Sequence, residues 1–73
     1  MWIRSQDKEV LINVNRIQIY DEGIEGNSHY DNDSYHLGQY KTKKRCLEIL
    51  DEIREVIIIM GNVKITVYNM PKE

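Results

Sequence analysis

The sequence predicts a small α+β domain: an antiparallel β-meander packed by one long α-helix, with a C-terminal strand returning to the sheet. Three observations lead there. The chain has 73 residues, which allows a single domain, residues 1–73. Residues 42–60, TKKRCLEILDEIREVIIIM, repeat apolar side chains at spacings of three and four, the period of a helix. The remainder is short apolar runs of period two, divided by polar turns.

The elements follow in order. Trp2, Ile3, Arg4 and Ser5 read as a first strand, closed by the polar Gln6, Asp7, Lys8 and Glu9. Val10, Ile12 and Val14 alternate with Leu11 and Asn13 in a second strand, which Asn15 and Arg16 are expected to interrupt. Ile17 and Ile19 begin a third. Asp21, Glu22 and Gly23 predict a hairpin turn, with the glycine at positive φ. The return strand over residues 24–30 is weakened by Gly26 and Asn27. Asp31, Asn32, Asp33 and Ser34 are a strong loop signal. A strand over residues 35–40 contains Gly38, which suggests a bulge or a close backbone approach.

Thr42 is a suitable helix N-cap, although Arg45 stands where a capping box would place Glu or Gln. Cys46, Ile49, Leu50, Ile53, Val56, Ile57 and Met60 form the apolar face, and Leu47 widens it. Leu50 and Ile53 are expected to anchor the core. Gly61 is placed as the helix stop. Val63, Ile65 and Val67 then alternate with polar residues in a last strand that Pro71 terminates. The β-branched run from Val56 to Ile59 also permits a hairpin through Gly61 and Asn62. The helix reading, continuing to about Ile59, keeps its face in register with Cys46.

Composition narrows the function classes. Apolar residues are 41% and charged residues 30%, ordinary for a globular chain, and the net charge is -2. That balance disfavours nucleic acid and anionic membrane as partners. No apolar run approaches the roughly 20 residues that span a bilayer. Charges follow Met1 closely, so no export signal is expected, and the single Cys46 forms no disulfide within the chain. A cytoplasmic setting is the expectation. A chain this small has a thin core, so self-association is expected to help it. Leu47 and Ile58 at the margins of the helix face point to a homodimer.

Few residues suggest chemistry. Asp31, Asn32 and Asp33 resemble the start of a calcium loop, but His36 and Thr42 occupy the positions that require Gly and Glu. One Cys and two His do not make a zinc signature. His29, His36 and Cys46 could be read as a nucleophile and its base, yet Cys46 lies on the apolar helix face, where a free cysteine behaves as a small hydrophobe. No enzymatic activity and no cofactor is expected. Lys41, Lys43, Lys44 and Arg45 crowd the helix start, against the macrodipole. With free backbone N–H groups they could hold a phosphate or an acidic partner, or simply pair with Glu48 and Asp51 in solvent. Five tyrosines and one tryptophan occur with no Phe. Tyr30, Tyr35 and Tyr40 are the candidates for a binding surface, since such rings are enriched at interfaces.

The segments Ile3-Arg4-Ser5-Gln6-Asp7-Lys8, Leu37-Gly38-Gln39-Tyr40-Lys41-Thr42, Arg45-Cys46-Leu47-Glu48-Ile49-Leu50-Asp51-Glu52-Ile53 and Val67-Tyr68-Asn69-Met70-Pro71 resemble a group of small uncharacterised proteins of phages and prophages of Gram-positive bacteria. Their pattern runs IRSQDK…LGxYxTxxRALEVLDEI…VYxMP. Cys46 stands where the group often has alanine, and the loop between Glu22 and Ser34 is particular to this chain. The resemblance implies a phage setting and supplies no activity. The function expected is therefore a non-enzymatic, phage-encoded binding protein, an inhibitor of a host defence or a host takeover factor acting by protein–protein interaction. The alternative is a nucleotide or other anionic small-molecule binder that uses the basic helix N-terminus. A nucleic-acid accessory domain is a third reading, disfavoured by the acidic balance.

Overall fold

The computed structural model describes residues 1–28, 33–59 and 67–73. Five strands and one helix follow the order β1 Trp2–Arg4, β2 Leu11–Tyr20, β3 Gly23–Ser28, β4 Ser34–Gln39, α1 Lys43–Ile59 and β5 Val67–Asn69. The sheet order is β4-β3-β2-β1-β5. The first four strands form the expected antiparallel meander, and β5 returns to pair parallel with β1, which makes the sheet mixed. Expectations for Met60, Gly61, Val63 and Ile65, and for His29, Tyr30, Asp31 and Asn32, fall outside the described residues.

Two expectations about the strands are corrected. Asn15 and Arg16 do not divide the second run. β2 is continuous over ten residues, and its register with β3 shifts between Val14 and Arg16. A bulge absorbs the extra residue, so Val14 and Ile17 both face the core while the strand bends. At the next hairpin Gly23 does not take positive φ. Tyr20 pairs with Gly23, and Asp21 adopts the left-handed conformation at φ 56°. Aspartate tolerates that region better than most side chains. The expectation for Gly38 is met in both forms. The β3–β4 register skips Leu37, and a Cβ on Gly38 would lie 2.7 Å from the Tyr40 hydroxyl oxygen.

The β1–β2 loop is organised by two short polar side chains. Ser5 Oγ accepts from the Val10 N–H at 3.0 Å and donates to Asp7, whose Oδ1 accepts from the Glu9 N–H at 2.9 Å. Lys8 closes the turn at φ 69°. This loop presents Gln6, which joins parts of the chain far apart in sequence. Its backbone N–H donates to the Leu37 carbonyl, and its Oε1 accepts from the Gln39 N–H at 2.8 Å. Its Nε2 donates to the carbonyls of Gln39 at 3.0 Å and Lys72 at 2.7 Å. The meander therefore curls far enough for the end of β1 to meet the end of β4, without closing.

α1 packs across the inner face through Cys46, Ile49 and Ile53, against Ile3, Ile12, Val14, Ile24, Leu37, Tyr40 and Met70. Thr42 caps it as expected, its Oγ1 accepting from the Arg45 N–H at 3.1 Å. Ile53 is an anchor. Leu50 is not: it is half-buried, and the wholly buried neighbour is Ile49. A sheet this narrow covers about one stripe of a helix, and α1 settles with the stripe of small Cys46 and Ile49 inward. Leu47, Ile57, Ile58 and Ile59 are left exposed.

Candidate functional site

The basic helix start does not form one cluster. Arg45 is turned back onto the protein. Its Nε donates to the Glu73 carbonyl at 3.0 Å, and its Nη1 lies 3.4 Å from Glu48 and 3.6 Å from Glu52. The expected pairing with Glu48 is present, and Glu52 stands in the place expected for Asp51. With two carboxylates beside it, this guanidinium carries little net field outward. Lys41, Lys43 and Lys44 are exposed and make no ion pair among the described residues.

Lys41 and Arg45 share a groove of about 600 Å3 with Gln39, Tyr40, Lys72 and Glu73. Lys43 and Lys44 do not line it. Lys72 joins this site only because the tail docks there, held by the Tyr40 hydroxyl donating to the Pro71 carbonyl at 2.7 Å and by Gln6. No local pattern in the sequence brings Lys72 to the helix start. The groove could admit an anion between Lys41 and Lys72, with Arg45 already engaged.

The three tyrosines proposed for a binding surface have different fates. Tyr40 is a core residue, 5% exposed, and its hydroxyl is committed to Pro71. Burial pushes its phenol up to about 12, with the nearby Arg45 charge opposing that shift. Tyr40 is thus withdrawn from the candidate surface. A ring after the β4 bulge folds over Gly38, where the missing Cβ leaves room for it. Tyr35 is half-buried against the core, and Tyr30 lies outside the described residues. Tyr68 is also half-buried. Its hydroxyl faces Glu52 at 3.5 Å, and burial followed by that carboxylate pushes its phenol up to about 12. Tyr20 and Trp2, neither of them among the candidates, are exposed.

Cys46 is fully buried, and its thiol donates to the Glu22 carbonyl at 3.3 Å. Burial and the Glu22 carboxylate push the thiol up, away from the reactive thiolate. Among the described residues no group of three His, Cys, Asp or Glu could hold a metal ion.

Besides the lysines and Tyr20, several apolar side chains are exposed. On the outer face of the sheet, Trp2 and Val67 are cross-strand partners, and Leu11 lies diagonal to Trp2 through the Trp2–Asn13 pair; all three are exposed. On α1 the exposed set is Leu47, Ile57, Ile58 and Ile59. Residues in two of the segments quoted from the sequence serve the fold: Ser5 and Asp7 order a loop, Gln6 and Tyr40 hold the tail, and Thr42 caps the helix. No helix among the described residues is long and apolar enough to cross a membrane. Comparison with protein-family models, curated proteins and solved structures finds no match.

Proposed function

We propose that this protein acts by binding another protein through its exposed apolar side chains. The observation that carries the reading is the exposure of Trp2, Leu11 and Val67 on the sheet and Leu47, Ile57, Ile58 and Ile59 on the helix. Single exposed apolar residues are ordinary, whereas groups of them on neighbouring strands or successive turns mark interaction surfaces. The resemblance to phage proteins makes a host protein the partner to seek, with inhibition of a defence or takeover of a host factor as the role.

The test uses tagged protein and bacterial lysate, followed by calorimetry with the purified partner. Two variants accompany the parent: Trp2→Thr, Leu11→Thr and Val67→Thr together, and Leu47→Gln, Ile57→Gln and Ile58→Gln together. One of them should lose the partner while keeping a native circular-dichroism spectrum. Undiminished binding by both variants rejects the reading.

The second reading, an anionic small molecule, is favoured by the groove between Lys41 and Lys72. A nucleotide or inorganic phosphate bound there should raise the melting temperature in proportion to RT ln(1 + [L]/Kd). No shift at millimolar ligand removes it.

A further inference from the structure

β4 ends the sheet order, so one of its sides meets β3 and the other meets no strand among the described residues. An open strand edge is a template for another strand, and lysine, proline or charge on the edge strand is a common protection. Ser34–Gln39, SYHLGQ, has no lysine, arginine, proline, aspartate or glutamate. Its protection comes from the β1–β2 loop.

The Tyr40 N–H points inward, to the Glu22 carbonyl, so the alternate residues Leu37 and Gln39 turn main-chain groups outward. Three of those groups meet a single residue. The Leu37 carbonyl accepts from the Gln6 N–H at 2.7 Å, the Gln39 N–H donates to Gln6 Oε1 at 2.8 Å, and the Gln39 carbonyl accepts from Gln6 Nε2 at 3.0 Å. The Gln6 carboxamide thus pairs with both groups of Gln39 as the peptide group of a neighbouring strand would. Two further contacts hold it in place. The Ser5–Lys8 turn is closed by the Lys8 N–H on the Ser5 carbonyl at 2.9 Å, and Gln6 Nε2 also donates to the Lys72 carbonyl at 2.7 Å.

We propose that Gln6 is a stand-in strand that closes the β4 edge, and that the strand it keeps out is β4 of a second copy. This is independent of the protein-binding reading above. An antiparallel pair about a two-fold axis at Gly38 sets Leu37 of each copy opposite Gln39 of the other. Each outward N–H then meets an outward carbonyl. A strand without acidic or basic residues other than His36 opposes itself without the repulsion that like charges impose across a sheet. The symmetry fixes the register, and the second copy is always present at the concentration of the edge itself.

The test is sedimentation of the full chain and its variants over a range of concentrations. Gln6→Pro removes the N–H and the carboxamide together. Position 6 is the second residue of the turn, and neither Gln6 nor Asp7 has positive φ, a setting in which proline is favoured. Gln6→Pro should self-associate at least about tenfold more tightly than the parent. Adding Gln39→Pro removes only an outward N–H, which an edge strand tolerates, and should return self-association to the parent's level. Circular dichroism and a cooperative urea transition identify the variants that fold. If Gln6→Pro does not, Gln6→Ala, which frees both groups of Gln39, takes its place with the same order expected. Self-association equal to the parent's, or undiminished by Gln39→Pro, overturns the proposal. Uptake of a synthetic threonine–valine strand peptide by a Gln6 variant that stays monomeric assigns the edge to another protein's strand and also overturns it. Neither result bears on partner capture by the Trp2 and Leu47 variants, so the two readings fail separately.

Discussion

Gln6→Ala is the sharpest test of how this fold is held together. The side chain makes three hydrogen bonds: Nε2 to the carbonyls of Gln39 and Lys72, and Oε1 from the Gln39 N–H. Alanine removes all three and leaves the Gln6 backbone bond to Leu37 in place. Each such bond contributes a net of roughly 0.5–1.5 kcal/mol. Gln6 is half-buried, so the freed groups find some water, and the expected loss is about 1–3 kcal/mol. A domain of this size has a total stability of roughly 4–11 kcal/mol, so the loss is a large share. Urea unfolding should show a lower midpoint with an unchanged slope. The melting temperature should fall by roughly 4–8 °C for each kcal/mol. Hydrogen exchange should show the Gln39 amide losing protection first, since its acceptor is gone. Gln6→Glu keeps one acceptor, but sets a carboxylate against two carbonyl oxygens, and should destabilise at least as much near neutral pH. A change below about 0.5 kcal/mol for Gln6→Ala would show that the side chain does not tie β4 to the tail, because that is the scatter of ordinary surface substitutions.

Three further outcomes follow. Ile49→Ala should cost about 2–5 kcal/mol and Leu50→Ala clearly less, because Ile49 is sealed in the core and Leu50 lines an open cleft; equal losses in urea unfolding would mean the helix is rotated from this position. The Asp7 carboxyl is held below its ordinary value of 3.8 by the Ser5 hydroxyl and then the Glu9 N–H. A depressed folded value means a stabilisation present in full above the unfolded value and lost as pH falls through the folded one, so melting curves should decline below about pH 4 and do so less steeply in Asp7→Asn. Cys46 should resist a thiol reagent in the native state and react on unfolding, and Cys46→Ala should keep partner binding with a modest loss of stability, since the thiol is buried and bonded to Glu22; rapid native-state labelling would contradict this.

The readable parts of the sequence were those whose cause is local. The three-four spacing from Cys46 to Ile53 determined a helix, Thr42 its cap, the period-two runs the strands, and Gly38 the bulge against Tyr40. Each rests on contacts within a few residues, where φ/ψ preference and side-chain period decide. The errors arose where two local solutions are close in energy. A bulge at Asn15 kept β2 whole, and Asp21 took the left-handed turn in place of Gly23.

Tertiary structure decided which part of each pattern was used. The sequence marked Cys46, Ile49, Leu50 and Ile53 alike as apolar, and only docking on a narrow sheet buried Ile49 and left Leu50 at an open edge. It marked four cations at the helix start, and packing then turned Arg45 onto Glu48, Glu52 and the tail while adding Lys72 to the groove. It offered Tyr40 as a surface ring, and the fold closed it over Gly38. Gln6 reads as one polar residue in a turn, yet it bonds to Lys72 across 66 positions. Periodicity reports which face of an element is apolar. Which portion of that face is covered depends on partners distant in sequence, and those are set only when the sheet curls and the tail docks.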